Sequence, residues 1–335
     1  MNDSCSINRS RGMEKSLLEN NPVAPIHIHT FWRSGKTYFF NKVRSCPKTI
    51  AFYEPFHHFH DILTPSIIAL LDDQAWPSHH PRLGAPYFSE YLPLLHTDKP
   101  GITGYHPDFA GRNYFDNHGT LNEQKNYIDS LTHYAENFGL RPVLTYGRSM
   151  GRLLWLVEKI PGHHLALQRS IRGLWQSSQI QWTVHNDPDY LLNPLEILMT
   201  ANMDPWIMDY FEELGLLHLR DRIFATESLR NLTLPFLQNS DVLVMQAFCG
   251  VVAVGYALAE ACLELVIDLE KVTDRDYRES IERILRERYL LSVSLEDCQV
   301  PEYPGSALLD KVEDYYYFCI GIARKHLGKI VRRAE

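Results

Sequence analysis

Between Trp32 and Tyr38 the chain reads W-R-S-G-K-T-Y. Gly35 lets backbone approach a ligand closely, Arg33 and Lys36 bring positive charge, Ser34 and Thr37 offer hydroxyl donors, and Tyr38 presents a flat face for a base. Such a run suits phosphate oxygens. Gly35-Lys36-Thr37 matches the end of the Walker A loop G-x-x-x-x-G-K-[ST], although Thr30 stands where its first glycine belongs. A second run, L-Q-R-S-I-R-G-L-W-Q-S, places Arg169 at the end of an expected strand and Ser177 eight residues later in the helix that follows. A third, Y-E-P-F-H, puts Glu54 at another strand end, 19 residues after Gly35, where a carboxylate can act as a general base. His57 and His58 are alternative bases. The cluster His57 to His60 lacks the spacing of an H-E-x-x-H or Cys/His site, so no metal is expected.

These residues need elements to carry them. Ala24 to Trp32 is short and rich in β-formers, and RSGKTYFFNKVRS after it has the length and Lys/Arg content of a helix, so the loop lies in a strand, glycine turn, helix unit. In such a unit the backbone N–H groups and the positive end of the helix converge on an anion. Further strands are expected at Thr49 to Pro55, Arg141 to Gly147, His163 to Ser170 and Glu264 to Val272. Helices are expected at Leu121 to Phe138, Gly151 to Lys159 and Ile171 to Ile180, and in the apolar segment before Glu264. This alternation implies an α/β fold, a parallel β-sheet flanked by helices on both faces. Residues 1–22 read as a flexible tail, and 23–335 as a single domain with insertions at about 65–120 and 182–240 that build the acceptor side. There Tyr87, Tyr91, Tyr105, Tyr114 and Trp182 are candidates to stack on an acceptor. Arg148 and Arg152 follow the third strand as nucleotide contacts or helix-surface residues, and His163 and His164 read as strand-edge residues.

A net charge of −8 excludes a protein that coats nucleic acid or an anionic membrane, so an anionic ligand must find a local basic pocket. The six cysteines show no C-x-x-C spacing, and the first 22 residues carry no apolar signal stretch; both point to a cytoplasmic protein. Val242 to Ala259 reaches the length of a membrane span, but Gln246, Gly250 and Gly255 favour a buried core helix, and no span is expected.

Taken together, the turn at Arg33 to Tyr38 and the pair Arg169 and Ser177 resemble the sulfotransferases that use 3′-phosphoadenosine 5′-phosphosulfate, above all bacterial and carbohydrate-type members. The resemblance implies a P-loop-like sulfotransferase fold. It implies that Arg33, Ser34, Gly35, Lys36 and Thr37 hold the 5′-phosphosulfate end of that donor, with Tyr38 as a candidate to pack against its adenine, and that Arg169 and Ser177 hold its 3′-phosphate. It implies Glu54 as base, with Lys36 and Arg33 stabilising the leaving phosphate, and a carbohydrate or other small-molecule hydroxyl as acceptor. The similarity covers Ile26 to His58 and Leu144 to Ser178, and more loosely Val242 to Val272. It departs from the family at Lys36, where Thr or Ser is usual, and in lacking the C-terminal R-K-G-x-x-G-D-W segment, to which Arg324 to Lys329 is the nearest string.

Two other readings stay open. A P-loop kinase-type enzyme would use Gly35-Lys36-Thr37 with a magnesium ion held by Thr37 and Asp268, and a non-catalytic nucleotide-binding protein would keep the turn without turnover. The exposed aromatics permit a homodimer.

Overall fold

The structure, a computed structural model, describes residues 24–72, 84–117, 119, 121–221, 231, 233–235, 237, 241–301 and 305–334. The expected tail lies outside them, as do His79 and His80, which the sequence reads as loop or strand-edge residues.

All five expected strands form. They are β1 (Ile26–His29), β2 (Thr49–Tyr53), β3 (Arg141–Tyr146), β4 (His163–Gln168) and β5 (Val266–Asp268), and they make one parallel sheet in the order β2-β3-β1-β4-β5. Every pairing between these strands is parallel, so their carboxyl ends share one edge. The helices are α1 (Lys36–Arg44), α2 (Pro65–Leu70), α3 (Asn122–Asn137), α4 (Leu153–Lys159), α5 (Ile171–His185), α6 (Asp189–Thr200), α7 (Pro205–Glu213), α8 (Asp241–Cys262), α9 (Arg275–Tyr289) and α10 (Ala307–Ala334). The protein is therefore α/β, with a parallel sheet between helical layers.

Two apolar cores flank the sheet. One joins Ile26, Ile28, Phe52, Val143, Leu165 and Ile267 of the strands to Phe39 and Phe40 of α1, Leu131 of α3 and Leu285 of α9. The other gathers Trp175 of α5, Leu195 of α6, Phe211 of α7, Val251 of α8, and Val312 and Cys319 of α10. Each such side chain, fully buried, contributes about 1.5–3 kcal/mol relative to exposure. The apolar stretch Val242–Cys262 is long enough to cross a membrane, with a mean hydropathy of 2.1, yet 83% of it is buried inside the fold. It is the central helix of the second core.

The region 182–240 is more helical than its composition suggests. Helix α5 runs past Ile180 to His185, and α6 forms in spite of Pro194 inside it. The burial of Leu191, Leu192, Leu195 and Leu198 on α6 outweighs the local cost of that proline. Pro205 falls at the first turn of α7, where it needs no hydrogen-bond partner. The region 65–117 instead holds short 3-10 turns and α2.

Polar residues inside the sheet were not foreseen. Strand β1 is I-H-I-H, with Ile26 and Ile28 on one face and His27 and His29 fully buried on the other. His29 Nε2 lies 2.9 Å from Nδ1 of His164, whose Nε2 bonds the Ile160 carbonyl, and His27 bonds the Tyr146 hydroxyl at 3.0 Å. The rings of His27 and His29 stack on that of His164. His164 thus joins a ring stack with β1, at the start of β4, where β5 does not yet pair.

Candidate functional site

A cavity of about 710 Å³ opens at the carboxyl edge of the sheet, where open α/β folds bind ligands. Arg33, Ser34, Gly35, Lys36, Thr37, Tyr38, Glu54, Arg169 and Ser177 all line it. They follow the ends of β1, β2 and β4 or sit in the first turn of α1 and the second turn of α5.

The turn after β1 is shaped by backbone geometry. Gly35 has φ of +83°, and a Cβ there would stand 2.6 Å from Leu269 Cδ1, so only glycine fits. Arg33 adopts φ of +63°, which is costly for a side-chain-bearing residue. The Ser34 hydroxyl donates to the Phe31 carbonyl at 2.6 Å and meets Thr30 Oγ1, so it braces the turn and leaves its backbone N–H for a ligand. No side chain caps α1, and its first-turn N–H groups are directed out of its N-terminal end. Thr37 shares a hydrogen bond of 2.9 Å with the Tyr53 hydroxyl, and Tyr38 donates to Asp297 at 2.7 Å.

The two signature segments meet directly. Arg33 Nε donates to Ser177 Oγ at 3.0 Å, and Arg169 Nη1 donates to the Arg33 carbonyl at 3.0 Å. Arg169 is held in turn by Glu270, with Nε 3.1 Å from Oε1, and the Ser170 hydroxyl reaches the same oxygen at 2.9 Å. Gly173 makes room for this arrangement, since a Cβ there would stand 2.4 Å from the Glu270 carboxylate. The Arg33 guanidinium lies 5.2 Å from the Tyr190 ring centroid.

Glu54 follows β2 and still donates its N–H to Thr145 of β3 at 2.7 Å. Its φ is +47°, which turns the side chain out of the strand register. One carboxylate oxygen pairs with Lys36, whose ammonium also lies 4.8 Å from the Tyr53 ring centroid. The other, Oε2, is buried without a hydrogen-bond partner among the described residues. Burial and the charges of Arg148 and Arg33 push the Lys36 ammonium well below the usual lysine range, and contact with Glu54 works against that loss. Gly147 closes the group: a Cβ there would stand 2.6 Å from Glu54 Oε1 and 2.7 Å from Lys36 Nζ.

Several lining residues were not singled out in the sequence. Tyr53, Gln181, His185, Tyr190, Asn193 and the stretch Asp297 to Pro301 all face the cavity; Arg148, a candidate from the sequence, lines it as well. Of the aromatic candidates for the acceptor, Tyr87 lines the cavity, whereas Tyr91 and Tyr114 are fully buried core residues and Tyr105 and Trp182 pack partly buried against the cores. Arg152 is a core residue too, donating to Gln124 and to the Phe109 carbonyl. Asp268 receives the Glu270 N–H and pairs with Lys271, and it does not line the cavity. Among the described residues no three metal-ligating side chains come together.

Comparison with protein-family models, with curated proteins and with solved structures found no match.

Proposed function

We propose that the chain is a sulfotransferase that moves the sulfuryl group of 3′-phosphoadenosine 5′-phosphosulfate to a hydroxyl of a carbohydrate or other small-molecule acceptor. The observation that carries this reading is the contact between two segments 136 residues apart, Arg33 with Arg169, completed by Arg33 with Ser177. Two anion-binding features side by side suit a nucleotide phosphorylated at both ends.

When bound, the donor would supply an activated sulfuryl group whose S–O bond to phosphate breaks as a new S–O bond to the acceptor oxygen forms. Glu54 takes the acceptor's proton on Oε2, the oxygen that has no hydrogen-bond partner among the described residues. Lys36 and Arg33, with the N–H groups of the first turn of α1, stabilise the charge that develops on the leaving phosphate. Arg169 and Ser177 hold the 3′-phosphate, and Glu270 orients Arg169 for that task. His57 is the less suitable base, since burial and the neighbouring His58 and Arg148 push its imidazole well below the ordinary histidine range.

The test is calorimetric titration with 3′-phosphoadenosine 5′-phosphate and, separately, with ATP and magnesium, in the native protein and in Arg169→Ala. Preference for the 3′-phosphorylated nucleotide, lost in the variant, is the expected result. Tight binding of ATP with magnesium, indifferent to the 3′-phosphate, would replace this reading with the kinase-type one.

A further inference from the structure

The charges around the cavity do not balance. Lys36 is paired with Glu54, Arg169 with Glu270, and Asp297 with Lys42. Arg33 and Arg148 form no ion pair among the described residues. Arg33 belongs to the nucleotide turn. Arg148 does not, because the sheet order separates them: β4, with Arg169 beyond it, lies on one side of β1, while β3 and β2, which lead to Arg148 and Glu54, lie on the other.

Arg148 therefore stands on the base side of the cavity. It follows Gly147, whose backbone adjoins the Glu54 carboxylate. Among the described residues its guanidinium makes only long contacts, 3.3 Å to His58 Nδ1 and 3.5 Å to Asn193 Oδ1. A partly buried guanidinium with its fork unmatched is suited to bidentate recognition of a planar or tetrahedral oxyanion.

We infer that Arg148, with Asn193 beside it, is an anion subsite for the acceptor, so that the molecule presenting its hydroxyl to Glu54 also carries a carboxylate or a sulfate ester. The acceptor role rests on the sulfotransferase reading. The anion site itself rests on the position of Arg148.

The probes are glucuronate, its methyl ester and inorganic sulfate, titrated into protein saturated with 3′-phosphoadenosine 5′-phosphate so that the nucleotide turn is filled. Glucuronate or sulfate is expected to bind and the ester not to, and whichever anion binds more tightly identifies the group recognised. Arg148→Gln is expected to weaken anion binding about ten- to a hundredfold with nucleotide affinity unchanged. Should that variant not fold, Asn193→Ala gives the same reading with a loss of about tenfold. The proposal is overturned if neither anion binds, if binding survives in folded Arg148→Gln, or if that variant loses nucleotide affinity as Arg169→Ala does. If the nucleotide itself fails to bind the native protein while Arg148-dependent anion binding persists, the sulfotransferase reading falls and the subsite stands.

Discussion

Glu54 and Arg33 are two of the five described non-glycine residues with positive φ; Asn186 and Leu290 are helix C-caps. A helix end explains such a conformation cheaply, and a strand exit that aims a carboxylate at a lysine does not. The strain at Glu54 is held by its hydrogen bond to Thr145 and by the His57 N–H on its own carbonyl. Glu54→Gln keeps the shape and removes the base. Turnover is expected to fall about 10²- to 10⁴-fold, with affinity for 3′-phosphoadenosine 5′-phosphate within about twofold of native, measured by initial rates and calorimetry below the melting temperature. The same change leaves Lys36 buried without its counter-charge, so a loss of up to about 3 kcal/mol in stability accompanies it. A variant with native turnover would remove Glu54 from the chemistry. At this scale the turn and the pair Arg169 and Ser177 were legible, because contiguous residues with one shared task leave a local pattern. Arg148, just after β3, was legible as a candidate contact, whereas Tyr190 and Asn193 were not, since only the packing of α6 brings them to the cavity.

The strands were legible for a simple reason: each is a short β-branched or apolar run closed by proline, glycine or charge. Helix α8 was legible as a buried helix from the glycines and glutamine within it. Its packing explains one of those glycines. A Cβ at Gly255 would stand 2.5 Å from Phe31 Cζ and 2.9 Å from Met150 Cβ, so α8 comes as close to the end of β1 as backbone allows. Gly255→Ala is expected to lower stability by about 1–3 kcal/mol in spite of alanine's helix preference of roughly 1 kcal/mol. Denaturant unfolding checks this, and a stability equal to or above native would mean that Phe31 yields easily. The helices between 182 and 221 were less legible, because prolines, histidines and aromatics hide a helical period that tertiary burial enforces.

At the scale of the molecule, seven histidines among the described residues are held below their ordinary range, chiefly by burial: His27, His29, His57, His58, His60, His163 and His164. His163 and His164 are pushed down to about 4, and His58 and His60 to about 3. A histidine that binds its proton more weakly when folded favours the folded state fully above the unfolded value of 6.5, and that contribution is lost as pH falls from 6.5 toward the folded values. The protein is therefore expected to lose stability steadily between pH 6.5 and 4, with a melting temperature several degrees lower at pH 5 than at pH 7.5. A flat profile down to pH 5 would show that these rings are hydrated in solution. The pattern was hidden in the sequence because I-H-I-H reads as an ordinary alternating strand, and only the parallel pairing of β1 with β4 stacks its histidines on His164.

The order of elements along the chain also sets a problem in time. Helix α8 carries the apolar surface of a membrane segment, and a large share of its cover is α10, which leaves the ribosome after it; Cys249 lies against the Val312 carbonyl, and Glu260 pairs with Arg324. For the interval between the two, the nascent chain displays a greasy helix with half its sheath still unmade, and it must rely on α6 and α4, already synthesised, or on a chaperone to shield it. A chain interrupted near residue 300 would keep the cavity's residues and lose this sheath, and would be removed by aggregation or proteolysis before its site could matter.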